Sequence, residues 1–360
     1  MIVPRYGTVH RGVEVFAREL ARSLDRQRFQ LTVLSGPHGL KEEGIEAIEV
    51  PLHAREHITT WAGPILRYLP RRLNLGPAEL EALTLMIHGR FFLRARTFDV
   101  ILPFGGTWTY RFAHHYCHGA RIISIGHGGP VRRDLELSDF FVALTPTDEA
   151  QALKMRPEIA TQVIPNGVDT ERFRTANARP LCKSNQIILC VAALFPDKHH
   201  DLLFNAAMLL DSSVRIICAG QGPYKPTLMQ HPLYKQGRVD FVEKEHDEMP
   251  ALYQAADAFS LASPGEAFGL VFLEALACGL PVVAHDAPRQ RYVVGETGFF
   301  CDVLDPNAYA LALKQALMAP TNPKRIRHAE QFRWGAVATQ YQELFSGLSQ
   351  QNPINPAFME

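Results

Sequence analysis

Two glutamates separated by seven residues, Glu266 and Glu274, stand in the stretch 263–284, SPGEAFGLVFLEALACGLPVVA. Pro264-Gly265 reads as a loop and the apolar run from Phe268 to Cys278 as a helix of about three turns. Gly279, with Pro281 just beyond, is a stop signal, and Val282-Val283 starts a strand. Around Glu274, the residues Val271, Phe272, Leu273, Ala275, Leu276, Ala277 and Cys278 are apolar on every face, which marks a buried helix. A buried carboxylate is costly unless it is hydrogen-bonded or paired. Glu274 can therefore sit at a helix edge, pair with an arginine, or accept hydrogen bonds from a ligand. Two neighbouring hydroxyls suit its two oxygens. The start of the same helix, near Phe268–Val271, offers unpaired N–H groups and a positive dipole end, with Gly269 permitting close approach of an anion. A diol site, a phosphate site and the further carboxylate of Glu266 together point to a sugar nucleotide.

These residues carry a resemblance. Glu266-x7-Glu274, set in E-A-F-G-L-V and E-A-L-A-C-G-L-P-V-V, resembles the signature of the retaining glycosyltransferases of family 4 (glycosyl transferases group 1). A bare Glu-x7-Glu carries little weight; the Gly/Pro frame makes it specific. The resemblance implies an α/β protein of the GT-B fold, two Rossmann-like domains with parallel sheets facing each other across a cleft. It implies a nucleotide-sugar donor in the C-terminal domain and an acceptor in the N-terminal one, whether carbohydrate, lipid-linked or small molecule. On that pattern Glu274 takes the ribose diol, and the backbone of Gly269, Leu270 and Val271 takes the diphosphate, which Lys198 neutralises. Glu266 with the amides of Ala267 and Phe268 holds hydroxyls of the transferred sugar. His127 faces that sugar from the other domain, and Gly12 supplies a backbone approach. His127, Glu266 and Lys198 are the catalytic candidates. Catalysis is then leaving-group stabilisation, in which fixed positive charge meets the charge developing on the diphosphate.

Three positions depart from the family. Ala193 stands where the family has Arg, a loss that can cost about 3 kcal/mol at a developing charge. Arg11 replaces the first glycine of Gly-Gly-x-Glu, here Arg11-Gly12-Val13-Glu14, and is the expected compensating cation. Glu243 replaces a Gly beside the base. These departures favour an alternative, a non-catalytic sugar-nucleotide-binding relative, which intact Glu266, Glu274, Lys198 and His127 oppose. The chain has no Asp-x-Asp triplet, so metal independence is expected, with no cofactor besides the nucleotide-sugar substrate.

The elements that must position these groups follow the chain. Ile2-Val3-Pro4 reads as the tail of a first strand, shorter than the family's. Val13, Phe16, Ala17, Leu20, Ala21 and Leu24 recur at helical spacing, and Phe29–Leu34 reads as a strand; strand, loop, helix and strand make a βαβ unit and hence a parallel sheet. Strands are read at 99–102, 121–125 and 140–144, with His127 between glycines at the carboxyl end of the second, where open α/β sheets place ligands. A structural turn histidine is the other reading of His127. Ile164-Pro165-Asn166-Gly167 reads as a turn where the domains change over. The expected domains are 1–163 and 164–334, with a helix and tail at 335–360 crossing back to the first domain and fraying from Ser349. Further strands are read at 187–191, 214–219, 239–242 and 258–261, and a helix at 252–256; Gly298-Phe299-Phe300-Cys301 and a helix at 307–318 finish the domain.

Composition bounds the rest. The 360 residues suffice for two domains, and 47% hydrophobic with 21% charged residues is globular. Zero formal net charge argues against nucleic acid as a partner. No run of 18 apolar residues and no signal-peptide pattern occurs, and six cysteines without a CxxC read as reduced thiols, so a cytoplasmic location is expected. His114 and His118 are set to share a helix face, but no further ligand follows at zinc spacing, so no metal site is expected. Residues 55–96 hold seven arginines against three acidic residues, interleaved with Trp61, Tyr68, Phe91 and Phe92. They read as ordinary helices with solvated arginines or as a peripheral contact with anionic lipid.

Overall fold

The computed structural model describes residues 1–8, 12–55, 57–58, 76–175 and 186–350. Arg11, the expected compensating cation, lies outside them, as do most of 55–75 and the tail 351–360. The chain divides into two compact units, Met1–Asn166 with the chain from Trp334 onward, and Gly167–Arg333.

In the first unit, α1 (Gly12–Ser23) is followed by β1 (Leu31–Ser35) and β2 (Ile45–Glu49), which pair in parallel. Next come α2 (Pro77–Arg94), β3 (Val100–Ile101), α3 (Thr107–Tyr116), β4 (Arg121–Ile125), α4 (Arg132–Glu136), β5 (Phe140–Ala143), α5 (Pro146–Met155) and β6 (Ala160–Val163). Strands β3-β4-β5-β6 form a parallel sheet in that order. Ile2 makes single parallel bridges to both Leu34 and Pro103, linking the two sheets. The apolar stripe of α1 is buried as its spacing requires, with Phe16 edge-on to Tyr341 at 5.9 Å on the chain's last described helix, Trp334–Gln350.

In the second unit, α6 (Thr170–Thr175) leads to β7 (Ile187–Val191), α7 (His200–Ala207), β8 (Arg215–Ala219), α8 (Lys225–Leu228), α9 (Pro232–Lys235) and β9 (Val239–Val242). Then follow α10 (Met249–Ala255), β10 (Ala258–Leu261), α11 (Leu270–Ala277), β11 (Val282–His285), α12 (Pro288–Val294), β12 (Phe299–Cys301), α13 (Pro306–Leu317) and α14 (Pro323–Glu330). All six strands are parallel, in the order β12-β11-β10-β7-β8-β9. The chain winds outward from β7 to β9, returns to lay β10 beside β7, and winds the other way. The crevice beyond the carboxyl ends of β7 and β10 is thus a topological switch point, where open α/β sheets bind ligands.

Three local expectations change. Helix α11 has 8 residues rather than about three turns, because Gly269 takes a left-handed conformation (φ 81°) and the helix opens only at Leu270. His114 and His118 do not share a helix face: α3 ends at Tyr116, and the chain turns at Gly119 with φ 88°. The final helix continues past Ser349 to Gln350.

Candidate functional site

The two loops flanking the switch point bring their charged residues together. After β7, a short turn at Pro196–Lys198 presents Lys198; after β10, residues 262–269 carry Glu266. Lys198 Nζ donates to Glu266 Oε2 at 2.7 Å, with side chains 27% and 15% exposed. Immediately after Glu266, the Phe268 ring is buried edge-on to Phe332 at 6.3 Å, which fixes the loop where it enters α11. A Cβ at Gly269 would lie 2.5 Å from Phe272 Cδ2, and φ is left-handed, so only glycine fits both the conformation and the space. Phe272 is the first residue here whose N–H finds the helix's own backbone, at Gly269 O and 2.9 Å. The preceding amides, Ala267 to Val271, form the open N-terminal end of α11.

Glu274 lies one turn into α11, half-buried among apolar residues. Its carboxylate Oε2 accepts from the Tyr253 hydroxyl at 2.6 Å. Burial raises the carboxyl above its ordinary range; the Tyr253 hydrogen bond and the Arg172 guanidinium act in the opposite direction. Of the simpler fates expected for Glu274, partial exposure holds, and its carboxylate is bonded to a buried tyrosine. Tyr253 is the residue that sequence reasoning missed. Its signal was present: a tyrosine in the largely apolar stretch Ala251–Ala256 must find a partner for its hydroxyl when buried.

In the first unit, His127 sits at the carboxyl end of β4 in the turn Gly126–Gly129, its N–H bonded to Ile125 O at 2.8 Å. Its ring packs edge-on to Phe16 at 4.5 Å, and its Nε2 is buried with no hydrogen-bond partner among the described residues. Burial pushes the imidazole down to about 3, so it is neutral at pH 7. Gly12 is the first residue of α1, with open space where a Cβ would stand.

Two family models match the sequence: one described as Glycosyltransferase Family 4 over residues 10–172, the other as Glycosyl transferases group 1 over residues 185–319. The chain belongs to the family-4 glycosyltransferases. It is 30% identical over 243 residues to the D-inositol 3-phosphate glycosyltransferase of Thermobispora bispora, a match covering 59% of this chain and 56% of that one. It is also 30% identical over 221 residues to the GDP-mannose-dependent alpha-(1-6)-phosphatidylinositol monomannoside mannosyltransferase of Mycolicibacterium smegmatis, covering 53% and 57%. The chain thus spans little more than half the length of these curated relatives. In fold it is similar to the sucrose-phosphate synthase of Thermosynechococcus elongatus, with TM-score 0.75 and 21% identity over 97% of this chain and 98% of that one. The Anabaena protein HepE, solved with UDP-glucose, superposes with TM-score 0.70 at 18% identity over 96% and 98%. The fold is GT-B.

Within this family member the departures from the family pattern have definite surroundings. Ala193 is exposed on the loop after β7. That loop is held from behind by the next one: a Cβ at Gly220 would lie 2.1 Å from Ala192 O, and Leu194 N–H donates to Gln221 O at 2.8 Å. Glu243, at the end of β9, accepts from Gln221 Nε2 at 2.8 Å and lies 3.8 Å from Lys225 Nζ. Among the described residues no cluster of three or more His, Cys, Asp or Glu is placed to hold a metal ion. No helix among them is long and apolar enough to cross a membrane.

Proposed function

We propose that this glycosyltransferase moves a hexose-type sugar from a nucleotide-sugar donor to an acceptor hydroxyl with retention of anomeric configuration and without a metal ion. The observation that carries the reading is the meeting of Lys198 and Glu266 at 2.7 Å beside the open N-terminal end of α11. A cation, a carboxylate and a set of backbone N–H groups converge on the switch-point crevice, the chemistry a sugar diphosphate asks for. In the resting site Lys198 and Glu266 neutralise each other. An arriving diphosphate takes over Lys198 and the helix amides, and Glu266 turns to the sugar hydroxyls alongside the amides of Ala267 and Phe268. Lys198 and the amides of Gly269, Leu270 and Val271 then stabilise the leaving diphosphate, while Glu274 holds the ribose diol. His127, neutral, serves as a hydrogen-bonding group for the sugar and not as a cation.

The names of the relatives, one dependent on GDP-mannose and one solved with UDP-glucose, support a nucleoside-diphosphate sugar as donor. Calorimetric titration with UDP, GDP and ADP, on the wild type and on Glu274→Ala, tests this. Micromolar binding of one of them, lost in the variant, is expected; no binding of any would favour the alternative that exposed Ala193 suggests, a relative without transfer activity. Arg11 is proposed as the cation replacing the family Arg, and Arg11→Ala is expected to weaken nucleotide binding. EDTA is expected to leave turnover intact.

A peripheral contact with an anionic surface is proposed for α2. This helix exposes Phe91 (66%) and Ile87, with the Arg90 guanidinium 4.3 Å from the Phe91 ring centre. An aromatic and a cation on one helix face suit a lipid headgroup layer. Co-sedimentation with anionic vesicles at low salt, weakened by Phe91→Ser, is the expected result.

A further inference from the structure

We infer that Tyr253 is a positioning residue for the donor site: its hydroxyl clamps one oxygen of Glu274, so that the carboxylate meets the ribose hydroxyls ionised and in a single orientation. The inference rests on the proposed diol role of Glu274. Tyr253 lies on α10 and is 0% exposed. Its ring is fixed on both sides, stacked on Phe259 at 5.7 Å and edge-on to Phe173 at 5.5 Å. A phenol held this way can do little but aim its O–H, and the O–H ends 2.6 Å from Glu274 Oε2. Where Glu266 is held by an ammonium, Glu274 is held by a phenol. A carboxylate on an apolar helix face drifts toward protonation, and a protonated acid presents one good acceptor to a diol instead of two. The donated hydrogen bond opposes that drift, and it spends Oε2 while leaving Oε1 and the remaining lone pair of Oε2 for the ligand.

The other groups facing this carboxylate are few. Arg172 on α6 favours its charged form, and the Cys278 thiol, one turn along α11, is pushed up to about 12 by burial and by Glu274 itself, so it stays neutral. From the helices packed on α11, Arg325 of α14 donates to Gly279 O and Pro320 O, and Arg291 of α12 pairs with Asp286. Removing the Tyr253 hydroxyl therefore takes away the hydrogen bond that Glu274 Oε2 accepts and leaves the Arg172 guanidinium as the remaining influence toward the charged form.

The test is calorimetric titration of wild type and Tyr253→Phe with uridine and guanosine diphosphates and with their 2′,3′-dideoxy counterparts, from pH 5 to 8. Phenylalanine keeps the ring packing, and thermal midpoints report folding. The expected result is about a tenfold loss of affinity in Tyr253→Phe for the nucleotide with a diol and no loss for the dideoxy form. The acid limb of binding is expected to move up by about one pH unit. In a Glu274→Gln background, Tyr253→Phe should cost nothing further. Equal losses on both ligand forms would make Tyr253 merely structural and overturn the inference, as would an undiminished preference for the diol. A wild type that binds both forms equally would instead remove the diol from Glu274, and the inference would fall together with the proposed role of that residue.

Discussion

Glu266 and Glu274 are the same side chain eight positions apart, and the fold makes two different groups of them. Glu266 is carried on a loop and bonded to a flexible ammonium on another loop, at 2.7 Å and partly open to solvent. Glu274 is carried on a helix and bonded to a phenol that cannot move, in a setting that raises its carboxyl. The first arrangement is exchangeable: an anion that takes Lys198 releases Glu266, and the partly solvated pair contributes little to folding. The second is preorganised, because the cost of ordering the acceptor is met when the protein folds and not when ligand binds. On the proposed roles a donor molecule uses both: a fixed point for its nucleoside, and a group that is free to follow the sugar as the bond to phosphate breaks.

The largest effect expected from this contrast is at Glu266. Glu266→Gln should lower kcat at least a hundredfold, since on the proposed roles it removes the charged group that holds the transferred sugar. It should also tighten binding of a bare nucleoside diphosphate severalfold, because Lys198 loses its competing partner. Steady-state kinetics beside calorimetry reads both; a diphosphate affinity that falls along with the rate would show that the pair is not exchanged for ligand. At Glu274 the expected effect is smaller and depends on pH. Burial raises its carboxyl above the usual range, so nucleotide affinity should decline on acidification at a higher pH than protonation of an exposed glutamate would cause. Affinity is full above the raised value and lost below it. Glu274→Gln should bind about ten- to a hundredfold more weakly at pH 7 and show no such limb. A limb of the same shape in the variant would assign the titration to another group.

A third change asks whether the exchangeable half is short of charge. Ala193 is exposed, so an arginine there meets no packed neighbour. Ala193→Arg should raise kcat by up to about tenfold, well short of the full value of a preorganised cation because the side chain must be ordered first. An unchanged rate would mean that the diphosphate is already neutralised, and would turn attention to Arg11.

How much of this was legible in the sequence differs between the same two groups. The frame around Glu274 was readable because each feature has a local cause: Gly269 for a left-handed cap, an apolar run for a buried helix, Gly279 and Pro281 for its end. The parallel sheets followed from alternating strand and helix patterns. What local pattern could not supply was partnership. Tyr253 and Glu274 are 21 residues apart and meet where the helices before and after β10 pack together; Lys198 and Glu266 are 68 apart and meet because β10 returns to lie beside β7. Short elements with weak periodicity were also missed, among them β2 and β6, whose residues are mostly half-exposed. His114 and His118 misled for the opposite reason: their spacing is helical, but the helix stops between them at Tyr116.

The smallest expected effect lies beside Lys198. His199 joins the turn carrying that lysine to α7, with φ 51° and ψ 43°. A residue with a Cβ in this left-handed region bears a strain of about 1 kcal/mol, which glycine avoids at some cost in unfolded-state entropy. His199→Gly should therefore stabilise the second unit by roughly 0.5 kcal/mol, raising its thermal midpoint by about 1–2 °C. The informative comparison is with nucleotide binding in the same variant. If the loop's only duty is to deliver Lys198 to an exchangeable pair, the affinity stays the same while the midpoint rises. A stabilised protein that binds diphosphate more weakly would mean that the strained turn holds Lys198 in place, and the loop half of the site would then be as preorganised as the helix half.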